Sequence, residues 1–212
     1  MSDDLVFYTN PMSRGRIVRW MLEEVGQPYR TEVLDYDKMK APPYLAINPM
    51  GKVPAILHGD TVVTEAAAIC AYLADAFPQA GLAPPPGDRA RGPYYRWLFF
   101  AAGPVESAVT NKSMGFEVPD DRRRMAGYGC LADVLNALET ALDGREYLAG
   151  DRFSAADLYV GAQIAWGLQF GTIEKRPAFE AYAARLINRP AAVRAREIDD
   201  ALMAAPPQPV SA

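Results

Sequence analysis

Hydrophobic positions fall into two textures along the chain. Up to residue 77, short apolar runs alternate with helical stripes. Leu5-Val6-Phe7-Tyr8 is an apolar run of strand length, and it predicts a buried strand. Residues 11–13 interrupt it. Ile17, Trp20, Met21 and Val25 then recur at helical spacing until Gly26 and Pro28 stop the pattern. Residues 31–34 predict a second strand. Residues 54–57 and 62–63 predict two more, joined by a hairpin-like turn over His58-Gly-Asp-Thr. An Ala-rich helix follows over residues 64–77 and ends before Pro78. The order βαβ-ββα describes a small mixed sheet with helical cover, an α+β domain.

Beyond residue 78 the strand signals nearly vanish. The segment 78–88 contains Ala-Pro-Pro-Pro-Gly and reads as a linker. Helical patterns follow at 89–111, 121–142, 155–170, 177–186 and 191–202. The predicted domains are therefore 1–77, α+β, and 89–203, an all-α helical bundle. Residues 204–212 are proline-rich and read as a mobile tail. No internal repeat is present.

Composition narrows the chemistry. The 212 residues are 50% hydrophobic and 23% charged, enough to bury a core. The net charge of -4 lacks the basic excess of a nonspecific nucleic-acid binder. Two cysteines, Cys70 and Cys130, lie far apart and form neither a disulfide framework nor a four-cysteine zinc site. One histidine, His58, argues against a histidine-rich metal centre or a Ser-His-Asp triad. The start Met-Ser-Asp-Asp is unlike a secretory signal, and no apolar run reaches membrane-spanning length. The expectation is a cytoplasmic protein without metal, membrane or nucleic-acid partners.

Four constellations carry candidate chemistry. Tyr8-Thr-Asn10-Pro-Met-Ser13-Arg14-Gly-Arg16 joins a strand end to a helix start, where free N–H groups and the helix dipole favour an anion. Arg14, Arg16 and Arg19 crowd the same turns, and a bound anion would offset their repulsion. A plain Ser or Asn cap with solvated arginines explains the segment too. Asn48-Pro-Met-Gly-Lys52-Val53-Pro54 places a proline at a strand entrance. A cis Val53–Pro54 bond would leave the Val53 backbone free to pair with an extended peptide; an ordinary loop entering an edge strand is the simpler alternative. Thr64-Glu65-Ala66 opens a helix, where Glu65 either complements the dipole or receives an ammonium while the Ala66 N–H receives a carboxylate. Ser154-Ala-Ala-Asp157 is a capping box with Asp in place of Glu, a structural start for a buried helix. Cys70 and Cys130 read as small buried thiols on helices and His58 as an exposed turn residue.

Taken together, the Ser13-Arg14 helix start, Asn48-Pro-Met-Gly-Lys-Val-Pro54, Thr64-Glu65-Ala66, the proline-rich linker and Ser154-Ala-Ala-Asp157 resemble the cytosolic glutathione S-transferases, over roughly residues 4–203. The resemblance implies a thioredoxin-like N-terminal domain, an all-helical C-terminal domain and a homodimer. It implies glutathione as co-substrate. Val53 would pair with its cysteinyl part with Pro54 cis, Glu65 and Ala66 would hold the γ-glutamyl end, and Lys52 would approach the glycyl carboxylate. The family usually has Ser after that Glu; here Ala66 removes a hydroxyl contact and keeps the N–H.

Three residues compete to activate the thiol. Aligned from Tyr8, Ser13 falls where bacterial relatives carry Ser or Cys. Aligned from Arg14, Asn10 takes the place of a catalytic Ser. Tyr8 resembles the residue of the tyrosine classes but sits early. The order is Ser13, then Asn10, then Tyr8. A thiol of pKa about 8.5 is only about 3% ionised at pH 7, and lowering it two units needs about 2.7 kcal/mol. One hydrogen bond to the charge gives about 1.5–3 kcal/mol and a helix end about 0.3–1. The implied activity is conjugation of glutathione to an electrophilic, apolar small molecule, a detoxification chemistry. Tyr94, Tyr95, Trp97, Phe100, Trp166 and Phe170 are candidates for an apolar pocket, or for core or interface. Glutathione-dependent disulfide or peroxide reduction is the enzymatic alternative, and a non-catalytic binding module the other.

Overall fold

The structure, a computed structural model, describes residues 4–204. The described residues through Tyr72 and those from Pro190 onward gather into one compact unit, and Leu73–Arg189 form a second.

In the first unit, β1 (Leu5–Thr9) is almost wholly buried, as its uninterrupted apolar run requires of a central strand. It pairs in parallel with β2 (Arg30–Val33) and antiparallel with β3 (Ala55–His58), which pairs with β4 (Thr61–Thr64). The sheet order is β2-β1-β3-β4. The outer strands are more exposed, which suits their mixed sequences. Helix α1 (Gly15–Val25) crosses from β1 to β2 and buries Ile17, Val18, Met21 and Leu22. Helix α3 (Ala66–Ala76) follows β4. This is the thioredoxin-like arrangement.

Three features depart from the sequence pattern here. Between β2 and β3 the chain makes a single helical turn at Lys38–Lys40 and a short helix, α2 (Pro42–Leu45). Both are too short for periodicity to reveal, although paired prolines at a helix start are the appropriate signal. Their Met39 and Tyr44 pack with Ala55, Tyr8, Leu34, Ile47 and Val53 into a small cluster. His58, expected in an exposed turn, ends β3, is half-buried and shares a 2.9 Å hydrogen bond with Tyr72 Oη. The last helix, α9 (Pro190–Ala204), packs on α1 in this unit instead of joining the helical half.

The second unit is helical. Helix α4 (Arg91–Phe100) runs through a π-helical turn (Ala101–Val105) into α5 (Glu106–Ser113). Pro104 lies inside that turn, where its missing N–H and bulky ring exclude ordinary α-helical bonding. The pattern at 121–142 predicts one helix, but α6 covers only Leu131–Leu142. The preceding stretch holds three consecutive exposed arginines, Arg122 to Arg124, and Gly127 and Gly129, so it has little to bury and two breaks. Cys130 accordingly sits at the start of α6, half-buried, not inside a helix. Helix α7 (Ala155–Phe170) is the buried centre, and α8 (Pro177–Ile187) packs along it. The proline-rich segment read as a mobile tail lies outside the described residues, apart from Ala204, which ends α9.

Candidate functional site

Strand register brings the first three constellations to one end of the sheet. Tyr8 faces Ala55, and Ala55 faces Thr64. The segment leaving β1, the segment entering β3 and the residue leaving β4 therefore meet along one edge. Neighbouring strands are about 4.8 Å apart, so β1 to β4 spans roughly 10 Å. An extended tripeptide is about that long.

At the β1 end, the turn is held from within. Asn10 Nδ2 donates to Leu34 O at 2.8 Å, and Asn10 Oδ1 accepts from Met12 N at 2.9 Å. Asn10 O accepts both Ser13 N at 3.0 Å and Ser13 Oγ at 2.7 Å. Ser13 Oγ also accepts from Gly15 N at 3.0 Å. The helix start is thus less open than the sequence implies: the N–H groups of Gly15, Arg16 and Ile17 all have local partners. The N-cap residue is Arg14, with no side-chain cap, so neither Ser13 nor Asn10 is the cap itself. Gly15 is required by packing, because a Cβ there would fall 2.0 Å from Thr9 Oγ1. Tyr8 is half-buried and stacks obliquely on Tyr44 at 5.7 Å; its hydroxyl has no hydrogen-bond partner among the described residues.

At the β3 entrance, the Val53–Pro54 peptide is cis. The Val53 N–H and C=O lie outside the strand ladder and have no partner among the described residues. The loop leading there is anchored on Lys52 O, which accepts from Tyr44 Oη at 2.6 Å and Asn48 Nδ2 at 2.7 Å. Burial pushes the Tyr44 hydroxyl up to about 12, which keeps it a donor at any physiological pH. Tyr44 was not singled out in the sequence; only the prolines before it hint at its placement. Gly51 has φ 58, and a Cβ there would meet Met39 O at 2.7 Å. The Lys52 side chain is exposed.

At the β4 exit, Glu65 is the single described non-glycine residue with positive φ, at 65. A left-handed residue of this kind costs about 1–2 kcal/mol. Its carboxylate is exposed and has no partner among the described residues. Ala66 begins α3 behind it. No sequence pattern signals that conformation.

The fourth constellation is elsewhere, in the second unit. Ser154 and Asp157 form a complete capping box at the start of α7. Asp157 also accepts from Leu148 N and Tyr182 Oη, both at 2.8 Å. Of the pocket candidates, Tyr94 and Trp97 are buried core, Phe100 and Trp166 half-buried, and Tyr95 and Phe170 exposed. Cys70 is fully buried and its thiol is pushed up by burial, away from nucleophilic use. Among the described residues, no group of three or more His, Cys, Asp or Glu side chains could hold a metal ion. No described helix is long and apolar enough to cross a membrane.

Comparison with known proteins gives a consistent result. Residues 12–76 match the family model of the glutathione S-transferase N-terminal domain, and residues 123–190 that of the C-terminal domain. The chain is 32% identical to the probable glutathione S-transferase GSTF2 of Oryza sativa, over 80% of this chain and 85% of that protein. It is 29% identical to glutathione S-transferase GstA of Escherichia coli O157:H7, over 86% and 90%. A glutathione transferase crystal structure from Methylococcus capsulatus superposes with a TM-score of 0.77 at 30% identity, covering 93% of this chain and 99% of that one. A sphingomonad glutathione S-transferase complexed with glutathione gives 0.75 at 29% identity, covering 92% and 98%.

Proposed function

The chain belongs to the glutathione S-transferase family, and we propose that it ionises the thiol of glutathione at the sheet end and conjugates it to an electrophilic, apolar small molecule. The observation that carries this reading is the alignment along one strand edge of two unspent groups, the Val53 backbone and the Glu65 carboxylate, with the turn that starts α1. Glutathione would lie extended across them. The Val53 N–H and C=O would pair with the cysteinyl backbone in strand fashion, with Pro54 cis beside them. Glu65 would take the γ-glutamyl ammonium, and the N–H of Ala66 its carboxylate. Lys52 would meet the glycyl carboxylate.

Ser13 is the first candidate to face the sulfur, with Asn10 supporting it. The Ser13 proton is already donated to Asn10 O, so facing a thiolate means exchanging one partner for another. A neutral hydrogen bond nets about 1 kcal/mol and one to a charge about 1.5–3, so the exchange gains roughly 1 kcal/mol. With the helix dipole, the total lowers the thiol by about one to one and a half units. Holding the electrophile against the sulfur must supply the rest of the acceleration. A second reading gives this role to Tyr8, whose hydroxyl has no competing partner and needs no exchange.

Titrating bound glutathione by its ultraviolet thiolate absorbance decides between them. Ser13→Ala should raise the midpoint by about one unit. If Tyr8→Phe raises it and Ser13→Ala does not, Tyr8 is the activator; Asn10→Ala run beside them reports on the turn. Turnover of a chloronitrobenzene with none of a small disulfide would separate conjugation from reduction. We also propose a cytoplasmic homodimer; Phe99 is 72% exposed and Tyr95 39% exposed on α4, an apolar surface a second copy could cover.

A further inference from the structure

The turn that carries Asn10 and Ser13 is tied to the last helix of the chain. In the first unit, α9 presents Asp199 and Asp200 to α1. Arg19 Nε donates to Asp199 Oδ1 at 3.0 Å, and both side chains are almost fully buried. The Arg19 guanidinium also donates to Thr31 Oγ1 at 2.9 Å and lies 5.0 Å from the Phe7 ring centre. That buried pair fixes the rotation of α9 against α1. The next residue, Asp200, is then in place to form an ion pair with Arg16 Nη2. The other edge of the same guanidinium reaches the turn: Arg16 Nε donates to Pro11 O at 2.8 Å.

Pro11 O matters because of where it sits. Asn10 O is occupied by Ser13 N and Ser13 Oγ, and the Asn10 side chain by Leu34 O and Met12 N. The Pro11 carbonyl is the part of the turn that these bonds leave to Arg16. A guanidinium is a rigid planar fork, so a carboxylate on one edge orients the donor on the other.

We propose that Arg16 and Asp200 are positioning residues: the carboxylate on α9 aims the guanidinium that holds the Pro11 carbonyl, and so sets the place of the thiol-activating side chain. This rests on the proposed glutathione chemistry at that turn. The Arg16–Asp200 pair is partly exposed, so it contributes little to stability. Its effect is on geometry, where a displacement of about 1 Å can cost about a hundredfold in rate.

The test compares Asp200→Asn and Arg16→Gln with Arg194→Gln. Arg194 makes another exposed α9–α1 pair, to Glu23 Oε2 at 3.2 Å, which does not touch the turn. Hydrogen exchange of the Met12 and Ser13 amides should speed up about tenfold in the first two variants and not in the third. The midpoint of bound glutathione should rise by about half a unit and kcat fall about tenfold, with KM for glutathione and Tm little changed. Turn amides that exchange at the wild-type rate in Asp200→Asn would overturn the proposal. So would a loosened turn with an unshifted midpoint and kcat, or identical losses in all three variants that track Tm. A wild-type protein that fails to ionise glutathione would instead overturn the underlying glutathione reading, while the exchange rates still judge the tie.

Discussion

Three helix starts in this protein use similar residues for opposite ends. At α7, Ser154 and Asp157 close on each other, and every donor nearby is consumed by the fold. At the sheet end, α1 begins on an uncapped arginine and α3 begins behind a left-handed glutamate whose carboxylate points nowhere within the protein. The first start lowers the free energy of folding. The Glu65 turn leaves charge and strain in place, which is what the proposed glutathione site requires. A serine beside a helix is therefore not informative alone; what its hydroxyl and its neighbours are bonded to separates the two cases.

The largest effect is expected at α7. Asp157→Ala leaves four donors facing a void and should cost about 3–5 kcal/mol, lowering Tm by about 10 °C, with glutathione affinity per folded molecule unchanged. Thermal melts and calorimetry check both halves. The pH dependence carries a sign. Burial outweighs the donors and raises the Asp157 carboxyl above its ordinary 3.8. A raised carboxyl stabilises the fold fully below the unfolded value and loses that contribution as pH rises through the folded one. The stability advantage of wild type over Asp157→Asn should thus widen as pH falls from neutrality toward 4, measured by urea denaturation.

At the sheet end the ordering reverses. Glu65→Ala should weaken glutathione binding about 10–100-fold, the value of a charge-assisted hydrogen bond, and hardly change Tm. Glu65→Gly should lose the same affinity and fold at least as well, because glycine adopts the left-handed backbone without strain. Ser13→Ala comes next, with about one unit on the thiol midpoint and under 1 kcal/mol on stability. Smallest is Ser154→Ala, about 1 kcal/mol on unfolding and nothing on the thiol.

How much of this the sequence disclosed follows from the physics of each element. The four strands, α1, α3 and α7 are carried by apolar runs or stripes, and each lies within two residues of its expected place. The helix expected at 121–142 fails in its first half, because its run of consecutive charged residues has nothing to bury and Gly127 and Gly129 break it. Residues 191–202 are helical in pattern, but pattern does not say which helix they pack on; the pairing of Asp199 with Arg19 across the chain does. At the site, the residue types around Ser13, Val53 and Glu65 were legible from motif spacing. The positive φ of Glu65, the Tyr44 anchor on Lys52 O and the occupation of Ser13 Oγ are set by tertiary contacts with no local signature.

The most direct test of glutathione activation at the sheet end is the ultraviolet thiolate titration of glutathione bound to the unaltered protein. The expected midpoint lies about one to one and a half units below the free value near 8.5, with saturable binding that Glu65→Ala weakens. A midpoint at the free value, with binding insensitive to Glu65, would contradict it.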